Sequence, residues 1–469
     1  MIVASVYIAA LGWAYWLSQH SAVEAPLLLP PTLAIVIAPG ILSLVMFWIG
    51  LARIPIQFAT IYALYLLLMA PGWYLAWRHG ITWPARPQLS PLQAWALLLM
   101  VGISSAILFN AAYFPFHRPD ALGIYELYAN RIADRRTLVP ITRQFQLYQL
   151  YPQLMSMTYA FVYQAAEWHN PYPARLMTAL LNLTGLSATF LLARQVHSTT
   201  AAWIAVLLLA LTPDFGTWAS AGYVDLPMAA YYTLCAVFTW AALHHGRTTD
   251  VALAALMIGL AAWVKNAALL GCLLFFTILL WGLIRRKLAL KQVLLASGLV
   301  AIVALPWYAR NLILSGQLIP DTVWADDAQQ TLSEIFVLVT RPQNYGLPGV
   351  VMLISVWWGG WQLLRTQHSG VFFVLWWSVP YYVLWLFFAS YDPRFILLFL
   401  PFLSILGAML CATLWQQAGN RRQPILAVMM VLVTVLAVQV MWGSVEFKRD
   451  ILQNPLMSHE EKLDIVNRE

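Results

Sequence analysis

Five charged side chains stand where this sequence can least easily carry them. Asp120, Asp225, Lys265, Arg310 and Arg394 each lie at or near the end of a long apolar run. A carboxylate in such a place can take a proton from a hydroxyl group; it can equally cap a helix by accepting a free backbone N–H. Asp120 follows Pro119 at the start of a polar segment, and Asp225 precedes Leu226-Pro227 at the head of an apolar run, so both readings apply to each. Lys265 is the only charge between Asp250 and Arg285. Its ammonium must either snorkel to the headgroup layer or meet an anion. Arg310 closes an apolar helix whose C-terminal dipole favours a cation, which is reason enough for a structural arginine. Arg394 instead opens an apolar run, against the dipole, so a buried anion or a bound ligand is expected to face it.

The elements that must position these groups are membrane helices. The chain is 61% hydrophobic and 10% charged, with a mean hydropathy of +0.71. Apolar runs of about 20 residues recur along it, more than a soluble core requires. The expected fold is all-α and polytopic, with about fourteen transmembrane helices of that length between residues 2 and 443. Cys235, Cys272 and Cys411 all fall inside apolar stretches, which excludes a disulfide framework and a cysteine metal cluster. Basic residues in the short connections, Arg78, Arg86, Arg194, Arg247, Arg285-Arg286-Lys287, Arg365 and Arg421-Arg422, fall on alternate turns and share one side. The positive-inside rule assigns that side to the cytoplasm. Segment 114–174, the turn at Asp225, the loop 310–346, the Tyr391-Asp392-Pro393-Arg394 turn and the tail from Ser444 then face outward. Arg131, Arg135, Arg136 and Arg143 oppose the rule, but from within a long loop that it governs less strictly. The net charge of +7 reflects this bias and suits anionic lipid; a nucleic-acid partner is not expected. The division expected is 1–91, additional N-terminal helices; 92–443, a transmembrane catalytic domain including the outer loop 114–174; and 444–469, a short outer-face tail.

The outer loop is the polar exception between two apolar blocks. From Asp120 to Arg136, Leu122, Tyr125, Tyr128 and Ile132 alternate at helical spacing with Glu126, Asn130 and Asp134, which predicts an amphipathic helix at the interface. Leu154 to Trp168 is apolar but short for a span, and counting it as one would invert every later loop. It is expected to form a juxtamembrane or re-entrant helix.

This organisation resembles the GT-C glycosyltransferases, particularly the branch of protein O-mannosyltransferases and lipid A aminoarabinose transferases. The pieces that carry the resemblance, in order, are Pro119-Asp120 with Tyr125 to Ile132, Pro173-Ala174-Arg175-Leu176, Ala193-Arg194, Leu211-Thr212-Pro213, Tyr223-Val224-Asp225, Gly259-Leu260 through Val264-Lys265-Asn266, Pro306-Trp307-Tyr308-Ala309-Arg310-Asn311, and Asp392-Pro393-Arg394 through Leu400-Pro401. They run over roughly residues 114–402. Two departures stand out. Asp120 is followed by Ala121 where the family usually has a second acid, with Glu126 the nearest, so no paired-carboxylate metal site is evident. The lysine-bearing element that many members have before the juxtamembrane helix is reduced to Tyr151-Pro152-Gln153-Leu154.

The resemblance implies transfer of a sugar from a polyprenyl-phosphate carrier to an acceptor, protein, lipid or glycan, by a single inverting displacement at the outer face. It implies Asp120 as the base, Asp225 and Glu126 as groups that bind or orient the acceptor, and Lys265, Arg310 and Arg394 converging on the phosphate. No organic cofactor is implied, and a divalent cation is left open. Such a protein would be multi-pass in a bacterial inner membrane with its active site outward. The alternative is a transporter or flippase of lipid-linked or small substrates. That class often shows related halves and ionisable groups at mid-depth, whereas here the charges gather toward one face.

Overall fold

The fold begins with helices cut to membrane length by their own punctuation. The computed structural model describes residues 2–82, 88–141, 149–320, 332–366, 368–389, 392–419 and 422–468; Arg86, Arg143, Tyr391 and Arg421 lie outside these. Ser90 accepts from the Gln93 N–H while the Gln93 side chain returns a bond to Ser90, with Pro91 next in line, and this box opens helix Pro91–Tyr113. Asn170 with Pro171 opens Pro171–Val196 in the same manner, and Ser198 opens Thr199–Ala210. Gly246 (φ +66°) and Gly316 (φ +78°) end Asp225–His245 and Leu305–Ser315 in left-handed turns.

Among the described residues the chain is helical without strands. Ten helices are long and apolar enough to cross a membrane, and eleven if Leu290–Val303 and Leu305–Ser315, bent by 49° at their junction, count as one. The expected fourteen is not reached because Thr199–Ala210, Thr248–Val264 and Ala268–Ile284 are apolar but shorter. The protein is an integral, multi-pass membrane protein.

The core is one continuous apolar cluster, and the first helices share it. Helix Leu29–Leu51 is largely buried. Tyr231 donates to the Val36 carbonyl at 2.7 Å, Trp263 Nε1 donates to Ser43 Oγ at 3.0 Å, and Phe47 packs on Trp263 with ring centroids 4.9 Å apart. At the opposite end of the bundle from the site described below, buried Asp250 accepts from Ser21 Oγ at 2.5 Å and from the Ala22 N–H at 3.1 Å.

The segment after helix Pro91–Tyr113 forms a short π-helix, Ala121–Glu126, running into Leu127–Arg135. Its buried face is Ala121, Ile124, Tyr125, Tyr128, Ala129 and Ile132; Tyr125, Tyr128 and Ile132 lie where the spacing predicts, but Leu122, expected with them, is exposed in the π-helical turn. Leu154–Ala166 is a helix whose residues 154–163 are all buried, so it is packed into the protein rather than laid on its surface.

Candidate active site

The turn from Ala219 to Val224 is held by three side chains from two other helices, Leu154–Ala166 and Pro171–Val196. Asn182 donates to the Ala219 carbonyl at 2.8 Å. Buried Arg175 donates to the Ser220 carbonyl at 2.8 and 3.1 Å and to the carbonyls of Phe114 and Pro115 at 2.6 and 2.7 Å. Tyr159 reaches the Gly222 carbonyl at 3.3 Å. Backbone carbonyls that would otherwise be left without partners in a dry interior are thereby satisfied, and the turn is fixed. Gly222 sits at φ +79° against the Phe116 ring, a place with no room for a side chain. The turn presents Tyr223 and Asp225 to the segment that carries Asp120: the Tyr223 hydroxyl accepts the Asp120 backbone N–H at 3.1 Å.

Arg394 arrives from a separate, later segment of the chain. Asp392 accepts its backbone N–H at 2.8 Å and starts the 3-10 helix Pro393–Leu398. Tyr345 holds the Pro393 carbonyl at 2.6 Å, and Trp385 Nε1 holds that of Asp392 at 3.0 Å. Thus anchored, the guanidinium meets Asp120 Oδ2 at 2.8 Å, Asp392 Oδ2 at 3.0 Å and Asp225 Oδ2 at 3.9 Å. Lys265, the C-cap of Thr248–Val264, pairs with the other oxygen of Asp225. Aromatic rings floor the cluster: Arg394 lies 4.6 Å from the Tyr223 centroid, and Lys265 lies 4.4 Å from that of Phe395. Burial alone would lower the Arg394 pKa, but Asp225, Asp392 and Asp120 together hold it well above the ordinary arginine range. Burial raises the Asp392 carboxyl even though Arg394 opposes it.

Four of the six expected site residues, Asp120, Asp225, Lys265 and Arg394, therefore meet in one ion cluster. Neither aspartate is the helix cap that spacing allowed. Asp120 makes no side-chain cap bond, and Asp225 is already the first residue of its helix, behind Val224. Arg310 does not join them. The apolar run expected to stop at residue 309 bends and continues to Ser315, which puts Arg310 inside a helix. There it donates to the Val139 carbonyl at 2.5 Å and lies 5.0 Å from the Trp307 centroid. Glu126 also stands apart, accepting from Tyr163 at 3.2 Å, and burial pushes its pKa up to about 7.

Sequence reasoning passed over Tyr223, Asp392 and Glu446 as site residues. Glu446 lies 3.0 Å from His117 Nε2 and 2.6 Å from Arg118 Nη2, with Arg175 Nη2 at 3.8 Å. Burial would raise its pKa, but the bond from His117 and the charges of Arg175 and Arg118 hold it well below the usual carboxylate range. Its signal in the sequence was position, as the first carboxylate after the apolar run that ends near Ser444.

The residues do not fit a metal ion. Asp120, Asp225 and Asp392 are drawn in around a guanidinium, and among the described residues no three His, Cys, Asp or Glu side chains are grouped to ligate one.

Fold and cluster define a class: many membrane helices delivering one knot of carboxylates and cations to a single end of the bundle. The sequence matches the family of dolichyl-phosphate-mannose-protein mannosyltransferases over residues 152–309, a stretch that holds Asp225 and Lys265. The structure of ArnT from Cupriavidus metallidurans bound to undecaprenyl phosphate is similar, with a TM-score of 0.54 and 17% identity, covering 80% of this chain and 74% of that one. The oligosaccharyltransferase of Archaeoglobus fulgidus in complex with Zn and sulfate is also similar, with a TM-score of 0.51 and 13% identity over 79% of this chain and 56% of that one. No curated protein matches the sequence. Over those residues the chain matches that family, and its fold is shared with both solved structures.

Proposed function

We propose that the protein transfers a sugar from a polyprenyl-phosphate carrier to a hydroxyl acceptor, with Asp120 as the base. The observation that carries this reading is the ion cluster itself. Asp120 is its most open carboxylate, with 38% of the side chain exposed against 3% for Asp225. It is held from one side by Arg394 and Tyr223, leaving its other side for an acceptor.

In the reaction the acceptor oxygen attacks the anomeric carbon and passes its proton to the Asp120 carboxylate. The bond from that carbon to the phosphate oxygen breaks, and the phosphate leaves with the electron pair. One displacement inverts the anomeric configuration. A phosphate needs no proton to leave, but it does need positive charge, and preorganised charge in a dry site is worth far more than in water. Arg394 Nε makes no hydrogen bond, Asp225 Oδ2 standing 3.9 Å away, and is the guanidinium donor left for such an anion. Lys265 supplies the second cation, and Asp225 keeps the two in place. The family match supports a lipid-phosphate sugar donor, and the positive-inside asymmetry supports an outward-facing site in a bacterial inner membrane. Arg310 would meet a phosphate only along a carrier that reaches past the cluster, and Glu126 would orient an acceptor from behind it.

The test is binding and transfer by the purified protein with short-chain polyprenyl-phosphate sugars. Asp120→Asn is expected to bind the carrier and lose transfer by roughly 10²- to 10⁴-fold, the usual worth of a general base. Arg394→Ala is expected to lose both. Full transfer by Asp120→Asn would sink the assignment of the base.

A further inference from the structure

We propose that Glu446, in the segment after the last long helix, is a positioning residue that sets where Asp120 stands relative to Arg394. The proposal rests on the reading of Asp120 as the base. Three paths lead from this one carboxylate to the cluster, two of them through Arg118. The first is the chain itself: Glu446 pairs with His117 and Arg118, and Arg118 is two residues before Asp120. The second runs through Asn110, whose amide donates to Glu446 Oε2 at 3.0 Å and to Ser220 Oγ at 2.7 Å, while its oxygen accepts the Glu446 N–H at 3.0 Å. Ser220 belongs to the turn that presents Tyr223, and Tyr223 accepts the Asp120 N–H. The third is a shared ring: the Arg118 guanidinium lies 5.5 Å from the Trp218 centroid and that of Arg394 lies 5.4 Å from the same centroid. Glu446 therefore bears on both sides of the Asp120–Arg394 contact without touching either residue.

The local chain is shaped for this task. Phe447 turns the backbone through a left-handed conformation, φ +49°, and sets its ring against Phe114 and His117 with centroids 4.9 and 5.4 Å away. Beyond it the tail docks on the same region: Tyr113 donates to the Pro455 carbonyl at 2.8 Å, and Tyr172 and His459 share a bond of 2.8 Å. A carboxylate that served only to hold the tail would need one partner. This one gathers two arginines and a histidine, His117 and Arg118 of these lying in the segment that leads to the base.

The experiment compares the full chain with Glu446→Gln, Asp120→Asn and the double variant, using a short-chain polyprenyl-phosphate sugar and hydrogen exchange of peptides spanning 117–135. Glu446→Gln is expected to lower kcat by roughly 10- to 100-fold, the scale of a misplacement of about 1 Å, with KM for the donor moving less than about twofold. In the Asp120→Asn background the same change should cost nothing further, because there is no base left to misplace. Exchange in 117–135 should quicken. A rise in KM at unchanged kcat, an additive loss in the double variant, or unchanged exchange would each overturn the proposal. Wild-type protein that neither binds nor turns over any carrier overturns the transferase reading instead, and hydrogen exchange then decides the tether by itself. If Glu446→Gln does not fold, Arg118→Gln carries the same test, since it leaves Glu446 paired with His117 and Arg175.

Discussion

Asp225 shows how much one carboxylate can be asked to do. It is the most sheltered acid of the cluster and the only one shared by two cations, Lys265 on one oxygen and Arg394 near the other. Removing it strands Lys265, largely buried, where an unpaired ion is far costlier than the pair was favourable, while Arg394 keeps Asp120 and Asp392. Asp225→Ala is expected to cost about 3–5 kcal/mol, read as a fall in thermal unfolding temperature in detergent, and adding Lys265→Ala should recover part of the loss. Glu126 makes a different prediction. Its folded pKa of about 7 stands above the ordinary 4.5, so between those values the folded protein holds a proton that the unfolded chain has lost. Stability contributed by the neutral form is complete below the lower value and falls as pH rises through the upper one. Glu126→Gln should flatten that part of a stability-against-pH curve; an unchanged slope would place the titration elsewhere. Asp225, Lys265 and Arg394 were readable from sequence because their charge contrasts with the apolar runs beside them, and Asp120 because it opens the polar segment between two apolar blocks. Glu446 offered no such contrast, because Lys448, Arg449 and Asp450 follow it closely.

At the scale of elements, the short turn at 219–224 bears more on the site than any of the long helices. It buries Ala219, Ala221, Tyr223 and Val224, and its backbone carbonyls are fixed by Asn182, Arg175 and Tyr159 reaching in from outside. Gly222→Ala would force a side chain into the left-handed region and into the Phe116 ring. A loss of about 1–3 kcal/mol is expected from the backbone alone, and transfer should fall further than stability does because Tyr223 and Asp225 move with the turn. Equal losses would mean that the turn merely holds the fold. Periodicity and punctuation made most helices legible, including the amphipathic one at 121–135. The bend of 49° before Leu305 was not legible, since Pro306 in the first turn of a helix reads as a start as readily as a kink. That ambiguity placed Arg310 at a helix end where it does not stand.

Across the whole molecule, the first three helices are not an appendage. Tyr231 and Trp263 find their hydrogen-bond partners on Leu29–Leu51, and Asp250 finds its own on Ser21 and Ala22. A chain lacking residues 2–82 would leave these buried groups unsatisfied, and it is expected to aggregate on extraction where the full chain gives a single species by size-exclusion chromatography. The run of apolar residues announces these helices but is silent on how deeply they pack, because a lipid-facing and a protein-facing span are equally apolar. The last long helix, Arg422–Ser444, is the opposite case: only Ala437, Val440 and Ser444 are buried along it, all near the end that leads to Glu446. Most of its length is exposed on the surface of the bundle, where lipid is its neighbour, and its anchors gather at the Glu446 end. A membrane thicker or thinner than its apolar stretch would tilt it or draw it up or down, and that displacement would arrive at Glu446 and the segment bearing Asp120. On the proposed function, transfer would then run at its full rate only in a bilayer of matching thickness, with the lipid acting as the gauge against which the Asp120–Arg394 contact is set.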